Sequence, residues 1–150
     1  FKDNPAKCFV LLTKSNQADT LKKLWNPSFH GVAYRNGIFV GVGLNGIVTS
    51  SDGISWTSRT SVTSTGLWGV GYGNGLYVVL GSSGTILTSS DGITWTSRTS
   101  GTSQNIMKIA YGNGLYVVVG NSGTILTSSD GVTWTSRTSG TSESLYNITY

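Results

Sequence analysis

The chain has 150 residues, of which 21 are Gly, 22 Ser and 20 Thr, while Asp, Glu, Lys and Arg together supply only 16. That composition excludes a helix-rich protein, because Gly, Ser and Thr are poor helix formers; five Trp, seven Tyr and four Phe exclude a solvated coil. The net charge of +4 lies wholly in residues 1–35 and residues 36–150 are neutral, which argues against a nucleic-acid surface, and no run approaches the about 18 apolar residues of a membrane-spanning helix.

Residues 1–26 form a basic leader, read as the outer half of a split sheet unit. Phe9–Lys14 suits a third strand and Thr20–Trp25 a fourth. A short helix over 16–25 is the alternative, since Leu21, Leu24 and Trp25 fall on one helical face behind Asn16 and Asp19. The single Cys8 permits no intrachain disulfide.

From residue 27 onward the chain is a repeat. Asp52, Asp91 and Asp130 recur every 39 residues, as do Trp56, Trp95 and Trp134. Tyr34, Tyr72, Tyr111 and Tyr150 follow at 38, 39 and 39, and residues 73–111 and 112–150 are identical at 30 of 39 positions. Each of the two later units carries three turn signals: Asn74-Gly75, Ser83-Gly84 and Asp91-Gly92 in one, Asn113-Gly114, Ser122-Gly123 and Asp130-Gly131 in the next. Asn-Gly and Asp-Gly favour type I′ hairpins, whose two central residues both need positive φ. Between the turns run strand-like segments such as Leu67–Tyr72, Leu76–Leu80, Thr85–Thr88 and Thr94–Arg98. Three reversals joining four strands at a period near 40 predict an all-β fold, a β-propeller of four-stranded antiparallel blades. The expected divisions are blade 1 at 27–65, blade 2 at 66–104, blade 3 at 105–143, and the first strand of a further blade at 144–150. An open arc would leave blade faces wet, so further repeats of the same polypeptide or a homo-oligomer are expected to close the ring.

The segments Ser50-Ser51-Asp52-Gly53-Ile54-Ser55-Trp56, Ser89 to Trp95 and Ser128 to Trp134 resemble the Asp-box, or BNR, repeat, Ser-x-Asp-x-Gly-x-Thr-Trp. In that family the motif occupies the hairpin between the outer two strands of a propeller blade, and sialidases, sortilin-type receptors and photosystem assembly factors carry it. The Gly-Asn-Gly-Leu-Tyr-Val units are also similar to those of bacterial surface proteins and phage tail fibres. Here Gly follows Asp directly, one residue earlier than in the family pattern, so a plain Asp-Gly hairpin is the expected departure. The repeated Asp and Trp read as structural, the carboxylate accepting from turn amides and the indole plugging the space between blades.

Catalytic chemistry has little support. The resemblance to sialidases would require an arginine cluster and a Tyr–Glu pair, yet the one glutamate, Glu143, sits in a Ser/Thr-rich connector. Arg59, Arg98 and Arg137 are repeat-equivalent outer-strand residues, and His30 has no acid or nucleophile partner in any motif. No cofactor and no metal site is expected. The differences between units cluster instead at the connector and first strand. His30, Trp68, Met107 and Tyr146 stand four places before the repeating Tyr, and Gly31, Gly69, Lys108 and Asn147 follow them. Diversity on a near-constant scaffold suggests ligand binding through His30, Trp68, Met107, Lys108, Tyr146 and Asn147. The ligand would be a glycan or protein receptor, and the setting an extracellular, cell-surface or virion protein such as an adhesin or tail fibre. Crowded channel filling is the competing explanation for the same diversity. Two other readings are a scaffolding or assembly-factor propeller that binds a partner protein, and a non-catalytic part of a sialidase-like hydrolase.

Overall fold

The computed structural model describes residues 29–150, so the readings of 1–26 as split-blade strands or a short helix lie outside the described residues. Twelve strands form three antiparallel sheets of four, each in simple up-and-down order. Blade 1 holds β1 (Phe29–Arg35), β2 (Ile38–Gly43), β3 (Gly46–Ser50) and β4 (Thr57–Arg59). Blade 2 holds β5 (Leu67–Gly73), β6 (Leu76–Gly81), β7 (Ile86–Ser89) and β8 (Thr96–Arg98). Blade 3 holds β9 (Ile106–Gly112), β10 (Leu115–Gly120), β11 (Ile125–Ser128) and β12 (Thr135–Arg137). The first strands β1, β5 and β9 adjoin one another in sequence, while β4, β8 and β12 pack chiefly on the third strand of their own sheet. This is the fan of propeller blades.

Turn chemistry sets the registers. Asn36, Asn74 and Asn113 have φ of 51, 43 and 49°, and the glycines after them have φ of 77, 79 and 74°, so all three first hairpins are type I′. The second turn explains the shorter first interval. In blade 1, Gly43 pairs with Gly46 across a two-residue Leu44-Asn45 turn. In blade 2 the same reversal needs Ser82–Gly84, a single 3₁₀ turn closed by Gly81 N–H donating to Thr85 O at 2.9 Å.

The Asp-Gly turn differs from the expected type I′ hairpin. Asp52, Asp91 and Asp130 do not have positive φ; only their glycines do, at 71, 73 and 74°. Oδ1 of Asp91 instead accepts the amides of Ile93 and Thr94 at 2.7 and 2.8 Å and the hydroxyl of Ser89 at 2.8 Å. Ser89 Oγ in turn accepts Gly92 N–H at 2.8 Å. The other two loops repeat this arrangement. A carboxylate bonded to two amides orders a longer loop that a bare Asp-Gly dipeptide could not hold, so the loop is capped despite the early glycine.

Apolar residues fill the spaces between blades. Val40, Val42 and Ile47 meet Leu67, Tyr77, Val79, Leu87 and Trp95 between blades 1 and 2. Val78, Leu80 and Ile86 meet Ile106, Tyr116, Val118 and Leu126 between blades 2 and 3, with Trp134 packed against them. Burying each such Val, Leu or Ile contributes about 1.5–3 kcal/mol, so a blade's stability depends on its neighbours. The indole nitrogens of Trp95 and Trp134 are buried without a hydrogen-bond partner among the described residues; these rings are held for their apolar bulk.

Outside this packing, Arg59, Arg98 and Arg137 each fold back along their own blade. Their Nε groups donate to Thr49, Thr88 and Thr127 Oγ1 at 2.7, 2.9 and 2.9 Å.

Candidate functional site

The first strand of every blade is interrupted at one residue. Phe29 pairs with Gly43 and Gly31 with Val42, which leaves His30 without a partner on β2. Leu67 pairs with Gly81 and Gly69 with Leu80, leaving out Trp68. Ile106 pairs with Gly120 and Lys108 with Val119, leaving out Met107. Three of the residues that differ between the blades, His30, Trp68 and Met107, are therefore the three β-bulges. A bulge re-aims its side chain and loosens the local ladder, so the scaffold can accept His, Trp or Met there without altering the rest of the sheet.

The bulges come together because the first strands adjoin. The imidazole of His30 and the indole of Trp68 pack with ring centroids 4.5 Å apart, tilted by 40°. Trp68 Nε1 donates to Ser82 Oγ at 2.8 Å, which ties the indole to the second turn of its own blade. Lys108 extends from β9 so that Nζ lies 3.4 Å from the carbonyl oxygen of His30. Gly31 and Gly69, at the places equivalent to Lys108, put no side chain in that path. Close approach also demands Gly69: a Cβ there would stand 2.5 Å from Met107 O.

Burial, and then the charge of Lys108, lower the pKa of His30, so its neutral form is favoured near neutral pH. Nε2 of His30 is buried and has no hydrogen-bond partner among the described residues. His30, Trp68, Met107 and Lys108 are all partly buried, whereas Tyr146 and Asn147 are exposed, Tyr146 by 67%. The structure thus joins His30, Trp68 and Lys108 directly and sets Met107 beside Gly69. Among the described residues, no side-chain hydrogen bond or ring contact links Tyr146 or Asn147 to the other four.

Asp52, Asp91 and Asp130 lie in separate loops. Two backbone amides and a serine hydroxyl hold the carboxyls of Asp52 and Asp91 down to about 2, and Asp130 is lowered by the same bonds. Those lone pairs are committed to the loop. Among the described residues, no three His, Cys, Asp or Glu side chains gather as metal ligands, and no helix is long and apolar enough to cross a membrane. A polar groove lies elsewhere, between the connectors after blades 2 and 3, lined by Thr102, Ser122, Arg137 and Thr141 among others. None of the six ligand-binding candidates borders it.

Sequence reasoning missed Tyr77 and Tyr116. Both are almost fully buried, and each donates its hydroxyl to the first hairpin of the preceding blade. Their repetition at a 39-residue spacing was the available signal.

The YCF48 structure from Cyanidioschyzon merolae is similar at 19% identity and a TM-score of 0.60, over 73% of this chain and 36% of that one. YCF48 bound to D1 peptide is similar at the same identity and TM-score, over 81% of this chain and 42% of that one. The GH74 enzyme of Niastella koreensis is similar at 23% identity and a TM-score of 0.52, over 72% of this chain and 17% of that one. The chain thus spans less than half the length of each, and at these identities the likeness is one of fold. No curated protein matches it. The model of the DUF6242 beta propeller domain matches residues 69–145, half of the chain, and its span takes in the bulge of blade 3 and both later Asp loops; the chain belongs to that β-propeller family.

Proposed function

We propose that the chain is a non-catalytic recognition module that binds a partner protein through the row of first-strand bulges. The observation that carries this reading is that first-strand diversity includes every bulge: His30, Trp68 and Met107 differ, and each stands unpaired at the interruption of its strand. Channel filling alone gives no reason for Lys108, the one lysine after residue 35, to lie in this row with no ion pair among the described residues. A half-buried indole and an ammonium group that each meet His30 suit a protein surface that offers apolar and acidic groups together. The likeness to YCF48 bound to D1 peptide is in keeping with a protein partner. The Asp loops fit best as short variants of the Asp-box, with a structural role.

A glycan ligand is the second reading, favoured by the exposed ring of Tyr146 and the charge-poor Ser/Thr/Gly surface, and it goes with an extracellular, cell-surface or virion setting. Exchange variants test both. Trp68→His and Met107→Trp place at each bulge a residue that the scaffold already accepts at another. Retention of a protein or glycan from the source organism's extract should fall at least about tenfold, roughly the loss of one contact worth 1.4 kcal/mol, with the melting temperature little changed. Unchanged retention by both variants would contradict the site.

A further inference from the structure

The three first hairpins are close copies with one difference. Asn36-Gly37, Asn74-Gly75 and Asn113-Gly114 share the left-handed angles of a type I′ turn, and all six residues are exposed. A Cβ added at Gly37, Gly75 or Gly114 would meet nothing within 4 Å, so the outer side of every turn is open. What differs is the asparagine side chain. Asn36 Nδ2 donates to Tyr72 Oη at 3.1 Å, and Asn113 Oδ1 accepts from Tyr150 Oη at 3.0 Å. Tyr111 stands at the equivalent place for Asn74, but its ring packs on Tyr116 with centroids 4.5 Å apart. Among the described residues no hydrogen bond holds the side chain of Asn74.

Asparagine followed by glycine is the dipeptide most open to attack by the main chain on the side chain, because glycine puts no Cβ in the path. The glycine nitrogen gives its proton to hydroxide and bonds to the asparagine Cγ. The Cγ–Nδ2 bond then breaks, and Nδ2 takes a proton from water and leaves as ammonia. Water opens the succinimide at either carbonyl, giving aspartate or isoaspartate. Cγ must swing onto the nitrogen for this to happen, and at Asn36 a hydrogen bond to the next blade has to break first. Asn45-Gly46 is a different case, since Gly46 is a strand residue paired with Gly43 and the ladder constrains its peptide.

We infer that Asn74 is a site of spontaneous deamidation in the folded chain, favoured over Asn36 and Asn113, and that isoaspartate there loosens blade 3 from blade 2. Isoaspartate routes the main chain through Cβ and Cγ. That adds a backbone atom to a two-residue loop closed by the pairing of Gly73 with Leu76. The carbonyls of those same two residues accept the hydroxyl of Tyr116 from blade 3. One modified residue thus disturbs a hairpin and an interface together.

The test is peptide mapping by mass spectrometry of the chain held at mildly alkaline pH below its melting temperature, with isoaspartate separated from aspartate by chromatography. Asn74 should convert fastest. Asn36 should convert about fivefold more slowly, the worth of one ordinary hydrogen bond. Tyr72→Phe keeps the ring and removes the hydroxyl, and should bring Asn36 to the rate of Asn74 without changing Asn74. In urea the three sites should converge. Amide exchange of β10 should be faster in the isoaspartate form than in Asn74→Asp, which carries the charge on a normal main chain. Asn36 or Asn113 converting as fast as Asn74 in the folded chain, a ranking that persists in urea, or an Asn36 rate unmoved by Tyr72→Phe would each overturn the inference. So would equal exchange in the isoaspartate form and Asn74→Asp.

Discussion

The hydroxyl of Tyr77 donates to the carbonyl oxygen of Arg35 at 2.7 Å, joining the second strand of one blade to the first hairpin of the blade before it. The two residues are 42 apart in sequence, so the bond forms only when two repeats have folded against each other. Tyr77→Phe should remove a part-buried hydrogen bond, costing about 1 kcal/mol and a few degrees of melting temperature. Tyr116→Phe should do the same. Desolvation first, and then the neighbouring Tyr111, push the Tyr116 phenol up to about 12. A raised phenol favours the folded state below its unfolded pKa near 10, so stability should fall as pH rises from about 10 to 12. Tyr116→Phe should flatten that alkaline loss. Thermal melts against pH check both outcomes.

The Asp loops should respond to acid. Asp52 and Asp91 are held down to about 2 by amide and hydroxyl donors. A depressed carboxyl contributes stability above its unfolded pKa, which is lost as pH falls through the folded one, so the melting temperature should decline between about pH 4 and 2. Asp91→Asn should lower the melting temperature at pH 7 and reduce its dependence on pH in that window. An equal slope for wild type and variant in melts at pH 5, 4, 3 and 2 would refute the assignment.

Two glycines separate backbone strain from crowding. Gly37 has φ of 77° and open space around it, so Gly37→Ala should cost about 1 kcal/mol in strain alone. Gly69→Ala would press a methyl group on Met107 O between adjacent first strands and should cost about 2 kcal/mol or more. Urea unfolding midpoints measure the difference.

His30 is the one histidine in the chain, so its ring protons report the bulge row directly in an NMR titration. Its pKa should lie below the ordinary value. Lys108→Met removes the positive charge but leaves the burial, and should raise that pKa without restoring it fully. No change in the variant would separate Lys108 from the imidazole.

The blades were legible because their turns are written in residue types. Asn-Gly at 36–37, 74–75 and 113–114 specifies a type I′ hairpin, whereas Asn45-Gly46 does not, and the short first interval resolves into the Leu44-Asn45 turn. Asp-Gly is degenerate: the dipeptide also suits an Asx-capped loop, and the choice depends on Ser89 and its equivalents two residues earlier, whose hydroxyls orient the carboxylate. The candidate row was visible as internal diversity. Its bulges were not, because His30, Trp68 and Met107 share no property that announces an unpaired strand residue. Contact between Lys108 and His30 depends on how blade 2 spaces its neighbours, which no local pattern encodes. The hydrogen bonds of Tyr77 and Tyr116 were hidden for a similar reason, since their acceptors are main-chain carbonyls of another repeat.

Site-specific photocrosslinking tests the recognition surface most directly. A benzophenone side chain placed at Met107 in the bulge row, and separately at Ile93 in an exposed Asp loop, would be irradiated in extract of the source organism. A discrete protein adduct from position 107, absent at 93 and suppressed by Trp68→His, is the predicted result. Adducts of equal yield at both positions, or a partner captured only through position 93, would contradict the account.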